Sequence, residues 1–305
     1  MRRWHSKFSS LAAFTAALLS EDARAQSCCA GGSAVTPGRL GLQEHALVGV
    51  QLRAAAVLGS YGPRSAYAAS PSGASEQNLE QDLFAAVRFL RRGQFALLVP
   101  LLESRRVTPT LGELGGGLGD ANVAARYDAL YSHQYRYVPG IALLAGATLP
   151  TGVAPEAAKK PLVTDATGIG VVQLHAGLAL EKRFTWVVVN LTGLVAKRLT
   201  RSVGGVSETL GTRWTALAAC TYIFSSDAAI ALAGSYFADG NATSDGVEEP
   251  STGRRLLTFT VSGAAPLSER VRIHASLFLT PPASSLGQNQ LATAGGSLAT
   301  LFTWL

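Results

Sequence analysis

Val271-Arg272-Ile273-His274-Ala275-Ser276-Leu277-Phe278-Leu279 sets Val271, Ile273, Ala275, Leu277 and Leu279 on one face of an extended chain and Arg272, His274 and Ser276 on the other. Successive strand residues point to opposite sides, so this stretch reads as a wall with one apolar and one polar surface. The pattern recurs. Val172, Leu174, Ala176, Leu178 and Leu180 alternate with Gln173, His175, Gly177 and Glu181. Leu257, Phe259 and Val261 alternate with Thr258, Thr260 and Ser262, and Val48, Val50 and Leu52 with Gly49, Gln51 and Arg53.

Outward from these, twelve strand-length segments can be marked: 47–58, 81–90, 95–104, 119–130, 135–149, 169–181, 184–196, 212–223, 228–237, 253–264, 270–279 and 293–305. The gaps between them run roughly 22, 4, 14, 4, 19, 2, 15, 4, 15, 5 and 13 residues, the long-and-short rhythm of outer loops and periplasmic turns. The expected fold is all-β: a single antiparallel transmembrane β-barrel of about 12 strands, with short periplasmic turns, long extracellular loops and both termini on the short-turn side. A soluble β-sandwich would show the same alternation but not gaps that are long and short in strict turn. Two segments blur the pattern. Leu98 and Leu102 oppose Phe95, Leu97, Val99 and Leu101, and Trp186 to Val189 form a continuous apolar run. Either a bulge shifts the register there or the lumen carries an apolar stripe.

The first residues supply an export route. Arg2, Arg3 and Lys7 precede an apolar stretch, Leu11 to Leu19, too short to span a bilayer, and Ala23-Arg24-Ala25 forms an A-x-A cleavage site. The expected division is a signal peptide over 1–25, an N-terminal periplasmic or plug segment over 26–46 and an outer-membrane barrel over 47–305. Localisation in the outer membrane of a Gram-negative bacterium follows. Cys28 and Cys29 do not mark a lipid anchor, because the usual Leu upstream of a lipidated cysteine is missing. The mature chain, about 280 residues, suits one barrel at about 23 residues per strand and connection. Val138 to Pro155 is uncharged but carries Pro139, Gly140, Gly146, Pro150 and Gly152, too many breakers for a spanning helix.

Aromatic residues gather near the short turns, as an interfacial girdle requires: Phe84, Phe95, Tyr127, Tyr131, Tyr135, Tyr137, Phe184, Trp186, Tyr222 and Phe224. Trp214, Tyr236 and Phe237 belong near the outer rim, and the chain ends Leu301-Phe302-Thr303-Trp304-Leu305, close to the C-terminal signal that outer-membrane assembly machinery reads.

Charge does not point to nucleic acid. Arg2, Arg3, Lys7 and Arg24, with Glu21 and Asp22, fall in the leader, leaving 22 basic and 18 acidic residues of the chain's 26 and 20. The basic ones are scattered. Arg105, Arg106, Lys159, Lys160, Lys197, Arg198, Arg201, Arg254 and Arg255 collect at the outer loops, where lipopolysaccharide or an anionic solute would meet them. The expected partners are therefore outer-membrane lipid and lipopolysaccharide, a small-molecule solute and the assembly machinery. Three cysteines, Cys28, Cys29 and Cys220, make no disulfide framework, and the histidines lack neighbours at metal-ligand spacing, so no metal or cofactor is expected.

Two stretches imitate other chemistry. Gly115-Gly116-Gly117-Leu118-Gly119-Asp120 looks like a phosphate loop, but no helix pattern follows it, and it reads as a flexible outer loop entering the fourth strand. His274 and Ser276 are spaced like the His-x-Ser pair of outer-membrane phospholipases, though here they share the polar face and Leu277-Phe278 follows in place of Asn-Gly. A hydrolase would need them within reach of each other and a third orienting group.

By parity the lumen is lined by Arg53, Arg88, Arg126, Asp128, Gln173, His175, Glu181, Arg272 and His274, while Gly140, Ala142, Gly146, Thr148, Ala229, Ala231, Ala233 and Ser235 leave space. Arginines in a narrow passage either favour anions or pair with lumenal carboxylates and stiffen the wall. Gly117-Leu118-Gly119-Asp120 through Arg126-Tyr127, Pro139-Gly140-Ile141-Ala142-Leu143 running to Leu149-Pro150-Thr151-Gly152, and Thr167-Gly168-Ile169-Gly170 resemble the outer-membrane protein family named for the meta-pathway of phenol degradation, itself similar to the FadL transporter group. The resemblance implies a porin-like channel or transporter passing small, often hydrophobic or aromatic, compounds through the barrel, and not an enzyme. A lipid hydrolase using His274 and Ser276, or a closed structural or ligand-binding barrel, are the alternatives.

Overall fold

The computed structural model describes residues 39–132 and 134–305; the leader, its cleavage site, Cys28 and Cys29 lie outside the described residues. Twelve wall strands follow in order: β1 (Ala46–Tyr61), β2 (Ser75–Leu90), β3 (Gly93–Val107), β4 (Ala121–Leu130), β5 (Gly140–Leu149), β6 (Gln173–Arg183), β7 (Val187–Arg198), β8 (Arg213–Ile223), β9 (Ala229–Asp239), β10 (Arg254–Pro266), β11 (Val271–Leu279) and β12 (Gln290–Trp304). Each pairs antiparallel with its chain neighbours, and β12 returns to pair with β1, closing a 12-stranded barrel. Closure leaves no wall strand with an unpaired edge, which is how a sheet satisfies its backbone polar groups in hydrocarbon. Among the described residues no helix is long and apolar enough to cross a membrane; a barrel crosses with strands.

The alternation decides which way the wall faces. Val48, Val50, Leu52, Leu178, Leu180, Phe259, Val261 and Leu277 are exposed on the outside, while Leu47, Ala86, Ala142, Ala179, Ala231 and Ala299 are buried on the inside. Through β3 and β7 the ladders with β4, β6 and β8 run without a register shift. The blurred segments are therefore an inward apolar stripe, Leu98 and Leu102 with Val188, and not a bulge. Phe95, Tyr127, Phe184, Trp186, Tyr222 and Trp304 stand exposed at the short-turn end, with Trp214 and Tyr236 at the other. Two expected girdle residues face inward instead. Phe84 packs against the buried group of Leu40, Leu47, Ala86 and Ala96, and Phe237 lies under the Arg213 guanidinium at 4.5 Å.

The strand limits depart from expectation at the outer end and at one short turn. β2 begins at Ser75 and β3 continues to Val107, because polar residues beyond the hydrocarbon still hold the ladder. β5 starts only at Gly140, since Pro139 has no N–H to donate and the preceding residues form a turn fastened by Lys182 Nζ, 2.6 Å from the Arg136 carbonyl and 3.1 Å from that of Val138.

Gly112–Leu118 is a hydrogen-bonded strand on β3, not a flexible loop. Its glycines make room for the connection 150–172, which lies over it. A Cβ on Gly115 would come within 2.4 Å of Thr164 Oγ1. Thr164 donates to Glu113 Oε1 (2.6 Å), Thr167 to the Leu118 carbonyl (2.6 Å), and Asp120 accepts from the Gly152 and Ile169 amides at 3.0 and 2.6 Å. Gly115→Val should loosen this lid at a cost of about 1–3 kcal/mol. Faster proteolysis within 150–172, with the folded barrel otherwise retained, is the expected readout; an unchanged cleavage rate would refute the packing argument.

Candidate functional site

The inward faces of the twelve strands enclose the candidate site, and its floor is built by the residues before β1. Leu40 is buried against Leu47, Ala86 and Ala96, and its amide donates to Gln94 Oε1 at 3.0 Å. Arg88 reaches the Glu44 carbonyl with Nε (2.9 Å) and the Gly41 carbonyl with Nη2. Side-chain charges complete the attachment. Arg39 pairs with Glu181 and lies 4.0 Å from Asp128, Arg126 is 2.8 Å from Asp128, and Arg272 pairs with Glu44. The segment 39–44 thus lies across the short-turn end of the lumen, tied to β2, β3, β4, β6 and β11.

Above the floor the wall is divided. Phe84, Leu98, Leu102, Leu144, Val188 and Leu194 project inward from β2, β3, β5 and β7, and Leu194 packs on Ala142, Leu144 and Ala179. Small residues of β9 to β12 face them, including Ala231, Ser262 and Ala299. Two bulky side chains lie over strand neighbours that have no Cβ: the Phe84 ring would meet a Cβ on Gly49 at 2.3 Å, and the His175 ring one on Gly146 at 2.4 Å. Glycine at 49 and 146 is what lets these rings lie flat against the wall.

The residues assigned to the lumen by parity meet neighbours that were only partly foreseen. Arg53 pairs with Glu80 at 2.9 Å and stacks on Phe278 at 4.3 Å. Arg126 and Asp128 are partners, Arg88 is taken up by backbone carbonyls, and Gln173 accepts from Arg198 Nε at 3.0 Å. At the outer end Arg198 and Arg213 share Asp239, at 3.2 and 2.7 Å. Arg53, Arg126 and Arg272 are thus ion-paired, where the sequence suggested arginines in excess of their carboxylates. Glu44 and Glu80 supply the difference, while Asp82 faces the lumen outside any ion pair among the described residues. Asp82 has the parity of Arg88 and could have been found from it; Glu44 lies before the first strand, where parity says nothing.

His274 and Ser276 share the inward face of β11, but Ser276 Oγ lies 2.8 Å from Ser297 Oγ, a hydroxyl and not a base. Cys220 is exposed on the outward face. Among the described residues no group of three or more His, Cys, Asp or Glu is arranged to hold a metal ion.

No family profile matches the chain, and no curated protein does. Solved structures do. An outer-membrane channel from Pseudomonas putida F1 superposes with a TM-score of 0.69 at 15% identity, over 88% of this chain and 100% of that one. The KdgM porin in complex with disordered oligogalacturonate gives a TM-score of 0.44 at 10% identity, over 84% and 99%. The translocator domain of the autotransporter NalP from Neisseria meningitidis gives 0.46 at 10%, over 92% and 99%. At these identities the first likeness establishes the fold, that of an outer-membrane β-barrel.

Proposed function

We propose that this chain is a passive outer-membrane channel for small solutes, exported by residues 1–25, with solutes of hydrophobic or aromatic character as its cargo. The observation that carries the reading is the inward apolar stripe, Phe84, Leu98, Leu102, Leu144, Leu194 and Val188, facing a wall of small residues across the lumen. A barrel that served only as a scaffold would gain from filling that side with bulk; Ala233 and Ser235, only half-buried, leave it open. The resemblance to the meta-pathway family agrees with this cargo. The basic outer rim, Lys159 and Lys197 included, suits contact with lipopolysaccharide.

Liposome swelling and planar-bilayer recording of the purified barrel test the proposal. Uptake of small aromatic solutes, lowered by Ala233→Phe, which fills the open side, is the expected result. A barrel that passes neither ions nor solutes would be a closed one. Phospholipid release abolished by Ser276→Ala would instead make it a hydrolase, a result the Ser276–Ser297 hydroxyl contact argues against.

A further inference from the structure

Asp82 faces the lumen from the middle of β2, is only 6% exposed, and takes part in no ion pair among the described residues. Its Oδ1 has no hydrogen-bond partner, and its Oδ2 accepts one long bond, 3.4 Å, from Gln51 Nε2. The nearest candidate cation is spoken for: Arg53 is 2.9 Å from Glu80 and stacked on Phe278. On the other side Asp82 stands directly across from Pro100, which has no donor, with Leu98 and Leu102 flanking it on the same face. Glu80 and Asp82, two apart on one strand face, with one guanidinium beside them, leave a negative charge over. A carboxylate removed from water without a counter-charge is strongly disfavoured and takes up a proton unless a cation reaches it, and beside it the wall offers only the Glu80 carboxyl and an Arg53 already paired. A cation that completes it has to come from the lumen.

We infer that Asp82 is a binding station for the ammonium head of a small amphiphilic cation, whose apolar body lies along Leu98, Leu102 and Phe84. The inference rests on the lumen being a solute path, and it narrows the cargo from apolar solutes in general to those carrying a primary amine. A hydroxyl would satisfy the free oxygen but leave the charge; an ammonium does both. Benzoate would meet the same carboxylate as a like charge.

The test is calorimetric titration of the detergent-purified barrel with benzylammonium, benzyl alcohol and benzoate. Benzylammonium should bind about ten-fold tighter than benzyl alcohol, the size of effect one desolvated ion pair supplies. Asp82→Asn, which keeps the side chain's shape, should abolish that preference. Glu80→Gln should weaken ammonium binding by a similar factor without touching Asp82, because it frees Arg53 to pair there. Glu269→Gln, in the turn between β10 and β11, should change nothing. Equal affinity for the amine and the alcohol, or a preference that survives Asp82→Asn, would overturn the inference; a proton shared between Glu80 and Asp82 would then account for the buried carboxylate. Liposome swelling separates the two readings. A barrel that passes solutes with no preference for the amine sinks this inference alone, and one that binds the amine but passes nothing sinks the channel and keeps the site.

Discussion

Replacing Arg39 and Glu44 together with alanine should raise the single-channel conductance of the proposed channel about threefold or more, because pore area at the narrowest level sets the current. The two side chains carry the ion pairs that fasten the floor segment: Arg39 to Glu181 and Asp128, Glu44 to Arg272. Without them the segment is held by Leu40 and by the carbonyls that Arg88 reaches, and its backbone can swing away from β6 and β11. Each single substitution should have a smaller effect, since the remaining pair still anchors one end. Conductance unchanged in the double variant would mean that ions pass beside the segment and that the constriction lies higher, among the outer loops.

Glu181→Ala is expected to destabilise the barrel by about 3–5 kcal/mol, the cost of leaving buried cations without their counter-charge. Glu181 is buried on β6, and its loss takes one carboxylate from the cluster in which Arg39 and Arg126 also meet Asp128. The measurement is the temperature or urea concentration at which heat-modifiable gel migration changes. Adding Arg39→Ala to Glu181→Ala should restore part of the loss, because the two side chains act as a unit and their effects do not add. A Glu181→Ala barrel as stable as the parent would mean that water enters the floor and solvates the arginines, making the cluster a surface network in effect.

The wall was legible because lipid and lumen impose opposite chemistry on alternate residues. Val271 to Leu279 alone carries that signal, with Leu277 and Leu279 exposed and Arg272 and Phe278 buried. Partners were less legible than directions. The partner of Arg53 was not legible because Glu80 sits in a stretch, 75–80, whose mixed polar sequence lacks an outward apolar face for parity to grip. Glu44 and Arg39 precede the first strand and have no period at all, so their meeting with Arg272 and Glu181, distant in sequence, is a product of closure. Phe84 and Phe237 were misplaced for a different reason. An aromatic near a strand end is expected at the interface, but parity, which puts both inside, outranks proximity to a turn. The glycine run 115–117 looked mobile because glycine permits many conformations; here it is selected for the close approach of Thr164.

The seam between β1 and β12 sets the order in which the molecule can be made. Fifteen register pairs join Ala46–Tyr61 to Gln290–Trp304, the first and last strands of the wall, and the His45 amide bonds the Trp304 carbonyl at 2.8 Å. These are the most distant contacts in sequence, and closing so long a loop is the slowest kind of pairing. Until the last strand has been delivered, the growing sheet has two open edges, each a row of bare donors and acceptors ready to join a second chain. A nascent copy is therefore at its most vulnerable one strand short of completion, and β12 is the piece that ends the danger.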